Sequence, residues 1–316
     1  MPLKKLLLKS GVNRENTRYT SEGGWYECDK IRFRQGTPEK IGGWQRISAT
    51  TFQGVCRSLW NWVTLGSQNL IAVGTNLKYY IENGGAYNDI TPLRATVTLT
   101  NPFETTSGSP IVVVTDANSG YTDGDFVTYS GASAVGGLTL NGEYQITLTT
   151  TLNEYTIDAG SAASSSATGG GTVTAAYQIN VGTAFAIPLT GWGASSWGSG
   201  TWGVGATSTE SIRLWSQSNF GEDLVFGPRN GPIYYWDATS GITTRAVELS
   251  TLGGASGVPT SQKLIEISDI NRFVFAFGAN EFGTAIVNPM LVRWSDQGSV
   301  VDWTPSVTSQ AGFLTL

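Results

Sequence analysis

The chain has 316 residues, 40% of them hydrophobic and only 14% charged, with a formal net charge of −5 and no histidine. The missing imidazole excludes His-based triads and removes the commonest general base and metal ligand. No apolar run approaches the length of a membrane span.

The two cysteines, Cys28 and Cys56, are too few for a disulfide framework and are expected to be free and buried. The apolar run Leu6-Leu7-Leu8 is too short for the core of a signal peptide, so a reducing cytoplasm is the expected place of synthesis. Low charge together with eleven Trp and twelve Tyr points to surface covered in an assembly. Charge is also uneven. Residues 1–50 carry ten Lys and Arg against five acids, and the rest of the chain carries nine against nineteen. A basic leader on an acidic body is the result.

Residues 1–50 read as a basic extended segment with the first strands. Trp25 and Trp44 flank Lys30-Ile31-Arg32-Phe33-Arg34, where alternation puts Ile31 and Phe33 on one face and Lys30, Arg32 and Arg34 on the other. Gly36-Thr37-Pro38 is the expected turn. A basic ladder beside aromatics fits nucleic-acid backbone. Interleaved Glu27, Asp29 and Glu39 favour ion pairing within the segment instead.

Residues 51–94 hold LWNWV and LIAVGTNLKYYIENGGAYNDITPL, short strands separated by turn residues. The same plan returns at Ser211–Leu249 and at Lys263–Pro305. Phe273 and Leu224 take equivalent places, 49 residues apart, within the period of propeller blades. The expected fold is all-β: propeller-like blades, whose ring need not be complete in this chain, carrying an inserted small β-sandwich or barrel. After Pro305 the sequence reads as the middle of a further blade.

The insert is residues 95–178, with five or six strands and Asn141-Gly142 as a turn dipeptide. Between Ala95 and Asn180 there are seven acids and no Lys or Arg, so the insert should not grip DNA. Asp123-Gly124-Asp125 reads as a turn rather than a calcium loop. Ser161–Gly171, SAASSSATGGG, reads as a flexible loop. Residues 179–316 carry further blades and the repeat GWGASSWGSGTWGVG, in which Trp192, Trp197 and Trp202 recur every five residues. Packing between blades or subunits suits these rings better than base stacking, because no basic residue accompanies them. Trp25, Arg32, Arg34, Trp44, Trp192, Trp197 and Trp202 are therefore the candidate interface residues. No catalytic, metal or cofactor-binding residue is assigned, and no cofactor is expected.

Three stretches carry a resemblance: GVNRENTRYTSEGGWYECDKIRFRQGTPEKIGGW, NFGEDLVFGPRNGPIYYWD and RWSDQGSVVDWTP. They resemble the tail hub or nozzle proteins of short-tailed phages, relatives of the packaged-DNA stabilisation proteins. The resemblance implies a structural virion protein in a ring below the portal, which closes the tail channel and conducts DNA at ejection. It further implies as partners other copies of the chain, a portal or head–tail adaptor, a tail fibre or spike, and the genomic DNA in the channel. The implied location is the virion tail, assembled in the host cytoplasm. The alternative is a glycan- or receptor-binding propeller module. A glycosidase using paired carboxylates is the weakest reading. Glu222-Asp223, Asp296 and Asp302 lie near aromatics, but nothing in the sequence sets two of them across a cleft.

Overall fold

A computed structural model describes residues 9–316 except 16, 21, 22, 44, 47, 118, 119 and 186–211. It divides into two compact units, residues 1–49 and 50–316.

The first unit holds one hairpin, β1 (Ile31–Arg34) against β2 (Thr37–Lys40), with Arg32 opposite Glu39 and Phe33 opposite Pro38. The turn is Gln35-Gly36, both at positive φ, as a two-residue hairpin turn requires. The expected turn at Gly36-Thr37-Pro38 is thus displaced, because Thr37 and Pro38 already pair with β1. Trp25 forms a parallel bridge with Val12 and lies edge-on to Phe33, with ring centroids 6.1 Å apart.

The second unit contains three four-stranded antiparallel meanders and one larger sheet. The first blade is β3 (Cys56–Val63), β4 (Asn69–Thr75), β5 (Tyr79–Asn83) and β6 (Ala86–Asp89). The large sheet follows: β7 (Leu93–Thr100), β8 (Phe103–Thr105), β9 (Ile111–Thr115), β10 (Phe126–Ser130), β11 (Gly142–Thr151), β12 (Glu154–Asp158), β13 (Ala167–Gly169) and β14 (Thr172–Gln178). The second blade is β15 (Trp215–Phe220), β16 (Asp223–Pro228), β17 (Tyr234–Trp236) and β18 (Val247–Glu248). The third is β19 (Leu264–Ile267), β20 (Val274–Phe277), β21 (Leu291–Trp294) and β22 (Gly312–Thr315).

The blades stack face to face, and the period of two along each strand decides which residue meets which neighbour. On β16, Leu224 and Phe226 join Trp62, Leu70, Tyr79 and Ile81 of the first blade in one core. Val225 between them joins Ile265, Ile267, Val274 and Ala276 of the third blade in another. Tyr79 and Phe226 stack at 4.0 Å, and Trp62 meets Trp236 edge-on at 6.3 Å. Polar contacts cross both junctions as well. The Ile265 amide donates to Ser216 Oγ at 3.0 Å, and Tyr79 Oη, from the third strand of the first blade, donates to Gln217 Oε1 at 3.0 Å.

Two blade expectations need correcting. Val274, not Phe273, is the counterpart of Leu224, since each faces the preceding blade. A slip of one residue moves a side chain to the other face. The last residues do not begin a new blade either. Phe313 and Leu314 pair with Arg293 and Val292 as the fourth strand of the third. The Val300–Trp303 stretch, which ends the expected third copy, forms no strand of the sheet; Trp303 is buried in the core with Val225 and Ile265, and its Nε1 donates to Val300 O at 2.8 Å.

The large sheet is a barrel. β7 and β8 are halves of one bent strand, hinged at Asn101 with φ +49°, and β13 and β14 are hinged at Gly170 and Gly171, both at positive φ. β7 pairs with β14 and β8 with β13. β8 also pairs with β9, from which the ladder runs through β12, β11 and β10 back to β14. Phe103, Val112, Val127, Tyr155, Ile157 and Val173 fill the interior and are fully buried. Tyr129 and Tyr177 are buried beside Tyr155, so three phenols share the interior. Tyr129 and Tyr155 oxygens lie 2.5 Å apart, Tyr155 and Tyr177 oxygens 2.7 Å, and Tyr177 donates to Asp116. Chaining the hydroxyls leaves no buried donor in the series unmatched, and desolvation pushes all three phenols above their ordinary pKa.

Ser161–Gly171 is not a loose loop. It contains β13, Ser164 Oγ donates to Gly136 O at 3.0 Å, and the Ser107 amide donates to Ser166 Oγ at 2.9 Å. Its small polar side chains satisfy backbone groups where the barrel bends, which composition alone does not reveal. The β10–β11 connection turns at Gly136-Gly137, both at positive φ, where Val135 and Leu138 exchange hydrogen bonds. Asn141 instead braces the connection by bonding the Ala132 backbone.

Candidate interaction surfaces

Of the seven candidate interface residues, Trp44, Trp192, Trp197 and Trp202 lie outside the described residues. In the hairpin unit, Trp25 is half-buried behind Phe33, Arg32 pairs with Glu39 across the ladder, and Arg34 is exposed. Arg14 and Arg18 pair with Glu27 at 3.1 and 3.6 Å, and Lys30 with Asp29 at 3.6 Å. Exposed pairs of this kind contribute about 0–1 kcal/mol each. They do balance much of the basic charge that a DNA-binding reading would need.

A denser charge cluster lies where the barrel meets the blades, and residue spacing gave no sign of it. Lys78, 3% exposed, donates to Asp89 at 3.0 Å and to Glu143 of the barrel, and its ammonium sits 4.4 Å from the Phe126 ring centroid. Arg245 of the second blade approaches Asp89 at 3.4 Å and Glu143 at 3.8 Å, and donates to Thr91 O at 2.8 Å. Gln178 Nε2 donates to the other Glu143 oxygen at 2.6 Å. Two cations and two anions from three bodies are thereby matched, which a buried charge requires. The barrel is held to the first two blades by this cluster. Asp125 fixes the same side of the barrel by accepting the amides of Val181 and Thr122, each at 2.8 Å. This is the turn expected at Asp123–Asp125.

The acids considered for glycosidic chemistry have local duties. Asp223 accepts from Tyr235 and from the Ala238 amide, and Asp302 accepts from Ser256 Oγ at 2.9 Å. Asp296 accepts the Gln310 amide and Glu222 the Leu65 amide. A cleft of about 330 Å³ opens between the barrel root and the second blade, lined among others by Arg94, Arg213, Arg229, Asn180, Tyr234 and Glu248. Arg213 donates to Asn180 O at 2.6 Å, and its guanidinium lies 5.4 Å from the Trp215 ring centroid. Cys28 and Cys56 are free but half-buried, not buried as expected. The Cys56 thiol is pushed up by burial and donates to Ser58 O at 3.5 Å.

Among the described residues, apolar side chains are exposed on both outer faces of the blade stack. On the third blade, register sets Leu264, Phe277, Val292 and Leu314 in one row and Glu266, Phe275, Trp294 and Gly312 in the next. Leu264 and Leu314 are 49% and 55% exposed. Trp294 lies over Gly312, where any Cβ would come within 2.5 Å of the ring. On the first blade, Leu59, Val63 and Ile71 are exposed on the face turned away from the second blade. Farther out on that face, Phe52 packs edge-on to Tyr87 at 5.2 Å and against Tyr80.

Among the described residues no helix is long and apolar enough to cross a membrane. No family model matches the chain, and no curated protein matches it in sequence. Among solved structures, the phage phi92 endosialidase aligns with 88% of this chain and 40% of its own, at 14% identity and a TM-score of 0.26. This chain thus spans less than half the length of that protein, and a likeness so distant informs neither fold nor function.

Proposed function

We propose that the chain is a structural subunit of a phage tail, part of a hub or nozzle ring that closes the DNA channel below the portal or adaptor and conducts DNA at ejection. The observation that carries this reading is where the resembling stretches fall. NFGEDLVFGPRNGPIYYWD forms β16 and β17 with the end of β15, and RWSDQGSVVDWTP runs from β21 to the buried Trp303. They are the framework of the blade stack rather than a catalytic cleft. The barrel, without Lys or Arg between Ala95 and Asn180, stands away from the DNA, since its acids repel phosphate.

The test is to locate the chain in purified virions by tagging its C-terminus and imaging the label. A ring of label around the tail channel supports the reading. Label confined to fibres, or no chain in the virion, overturns it. A second reading, an acidic-glycan or receptor-binding module, is favoured by the cleft holding Arg94, Arg213 and Arg229, because guanidinium forks suit carboxylates. Binding to acidic glycans that disappears in Arg229→Ala would move the weight to it.

A further inference from the structure

We propose that the cleft over Arg293 binds a small hydroxylated carboxylate, a molecule of the size and kind of a sugar acid. This goes beyond the tail reading, does not depend on it, and concerns a different cleft from the one holding Arg229.

The inference begins with a buried cation. On β21, register sets Arg293 opposite Ala276, on the same face as the buried Leu291 and Ser295. Arg293 is 2% exposed. Among the described residues no carboxylate comes within 4.0 Å of its guanidinium. Lys78, equally buried, has two acids against it. A buried charge needs a counter-charge, and an arginine cannot shed its proton to escape that cost.

The partners Arg293 does have are neutral. Nη1 donates to Asn280 O at 3.3 Å, Nη2 donates to Gly257 O, and the guanidinium lies 5.2 Å from the Phe282 ring centroid. These bonds engage two of the five N–H groups of an arginine. The two carbonyls belong to the β20–β21 connection and to the connection between the second and third blades. Between them lies a cleft of about 460 Å³, with Arg293 in its lining. That is the volume of a small-ligand pocket.

The walls narrow the ligand further. They are made of small side chains, among them Ala255, Ala285 and the hydroxyls of Ser250, Ser256 and Thr284. Ser256 Oγ donates to Asp302 at 2.9 Å, Ser250 Oγ to Glu248, and Thr284 Oγ1 to Glu281 O at 3.4 Å. A hydroxyl has one proton and two lone pairs, so these three have spent their protons and are left as acceptors. A guanidinium suits a carboxylate, and acceptor oxygens beside it suit several O–H donors on the same molecule. One cation matches one negative charge. The second charge of a phosphate would go unmatched, with Asp302 and Glu248 each one hydrogen bond behind the wall.

The experiment is titration calorimetry of the full 316-residue chain with sodium glucuronate, and with glucose, which has the same ring without the acid. One glucuronate should bind per chain, and glucose about tenfold more weakly or not at all, as the loss of a charged hydrogen bond requires. Arg293→Gln removes the charge and should weaken glucuronate by about tenfold or more. Arg293→Lys keeps the charge but loses the planar fork, and should fall between. Bound glucuronate should slow hydrogen exchange at 256–258 and 283–285 and leave the barrel unchanged. Should Arg293→Gln misfold, Ala285→Phe, at an exposed position in the lining, fills the cleft without removing the cation and should abolish binding. An unaltered chain that does not bind glucuronate overturns the inference and leaves Arg293 as a brace between the two connections. So does glucose that binds as tightly, and so does inorganic phosphate that binds more tightly. Glucuronate binding that survives Ala285→Phe or a folded Arg293→Gln would place the acid elsewhere and overturn it as well. None of these results bears on where the chain sits in a virion.

Discussion

In the barrel, strands bend through Asn101 and through Gly170-Gly171 until the sheet meets itself, and Phe103, Tyr155 and Ile157 are fully buried by their own sheet. In the blades, Leu224, Val225 and Phe226 are just as buried, but by the sheets on either side. The residue types are the same in both regions. The difference is that two bend points let one region supply both sides of its core, whereas each straight meander covers one face per neighbour. Closure in the barrel is local. In the stack it is passed along, and the two outer faces still bear Leu59 and Ile71 at one end and Leu264 and Leu314 at the other.

Truncating Phe226 probes this dependence most severely. Its ring stacks on Tyr79 and tilts against Trp215 and Tyr234, so Phe226→Ala leaves a cavity shared by two blades and should cost about 3–5 kcal/mol. Hydrogen exchange should show β3–β5 and β15–β17 losing protection together while β9, β12 and β14 keep theirs. Equal loss in the barrel would mean the two regions unfold as one.

Lys78→Met should come next, at about 2–4 kcal/mol, because Asp89 and Glu143 would face each other with Arg245 as their remaining cation. The barrel should loosen from the blades without unfolding, read as faster proteolysis near 90–94 and 179–183 with barrel exchange unchanged. Gly170→Ala should act only on the barrel. The position has φ +113°, and a Cβ there would lie 2.5 Å from the Phe103 ring. A loss above about 1 kcal/mol is expected, confined to β8, β13 and β14. A neutral outcome would show that the bend does not hold the closure.

The blade plan was legible because half-buried strands alternate and their turns use Gly, Asn and Pro, so LVFGPRNGPIYYW gives itself away. Which face each residue takes was not legible, since Phe273 and Val274 are both apolar and only a neighbouring blade distinguishes them. Gly312–Thr315 was read as part of a further blade because the third copy already ran to Pro305, and only its pairing with Val292 and Arg293 makes it the fourth strand of the third blade. The barrel closure hid in SAASSSATGGG, where glycine reads as slack and acts as a hinge. The charged junction joins Lys78, Asp89, Glu143 and Arg245, whose positions carry no spacing signal because three bodies bring them together.

The smallest effect separates the regions by pH. Burial alone would raise the Asp89 pKa, but Lys78, Arg245 and the hydrogen bonds from Thr91 outweigh it and hold the carboxyl below its ordinary 3.8. In the barrel, burial raises Asp125 above 3.8, and the bonds from Val181 and Thr122 offset only part of that. The signs are therefore opposite. Stability from Asp89 is present above the unfolded value of about 3.9 and is lost as pH falls through its lower folded value. For Asp125 stability is fully present below the unfolded value and is lost as pH rises through its higher folded value. On acidification from pH 6 the junction between barrel and blades should weaken only below about pH 4, while the 122–125 turn tightens over the range above it. Exchange rates at Thr91 and Val181 across a pH series read the two limbs separately. Asp89→Asn should flatten the first limb and leave the second, and Asp125→Asn the reverse. If either substitution leaves its own limb unchanged, the carboxylate assigned to that limb is not the group that titrates there.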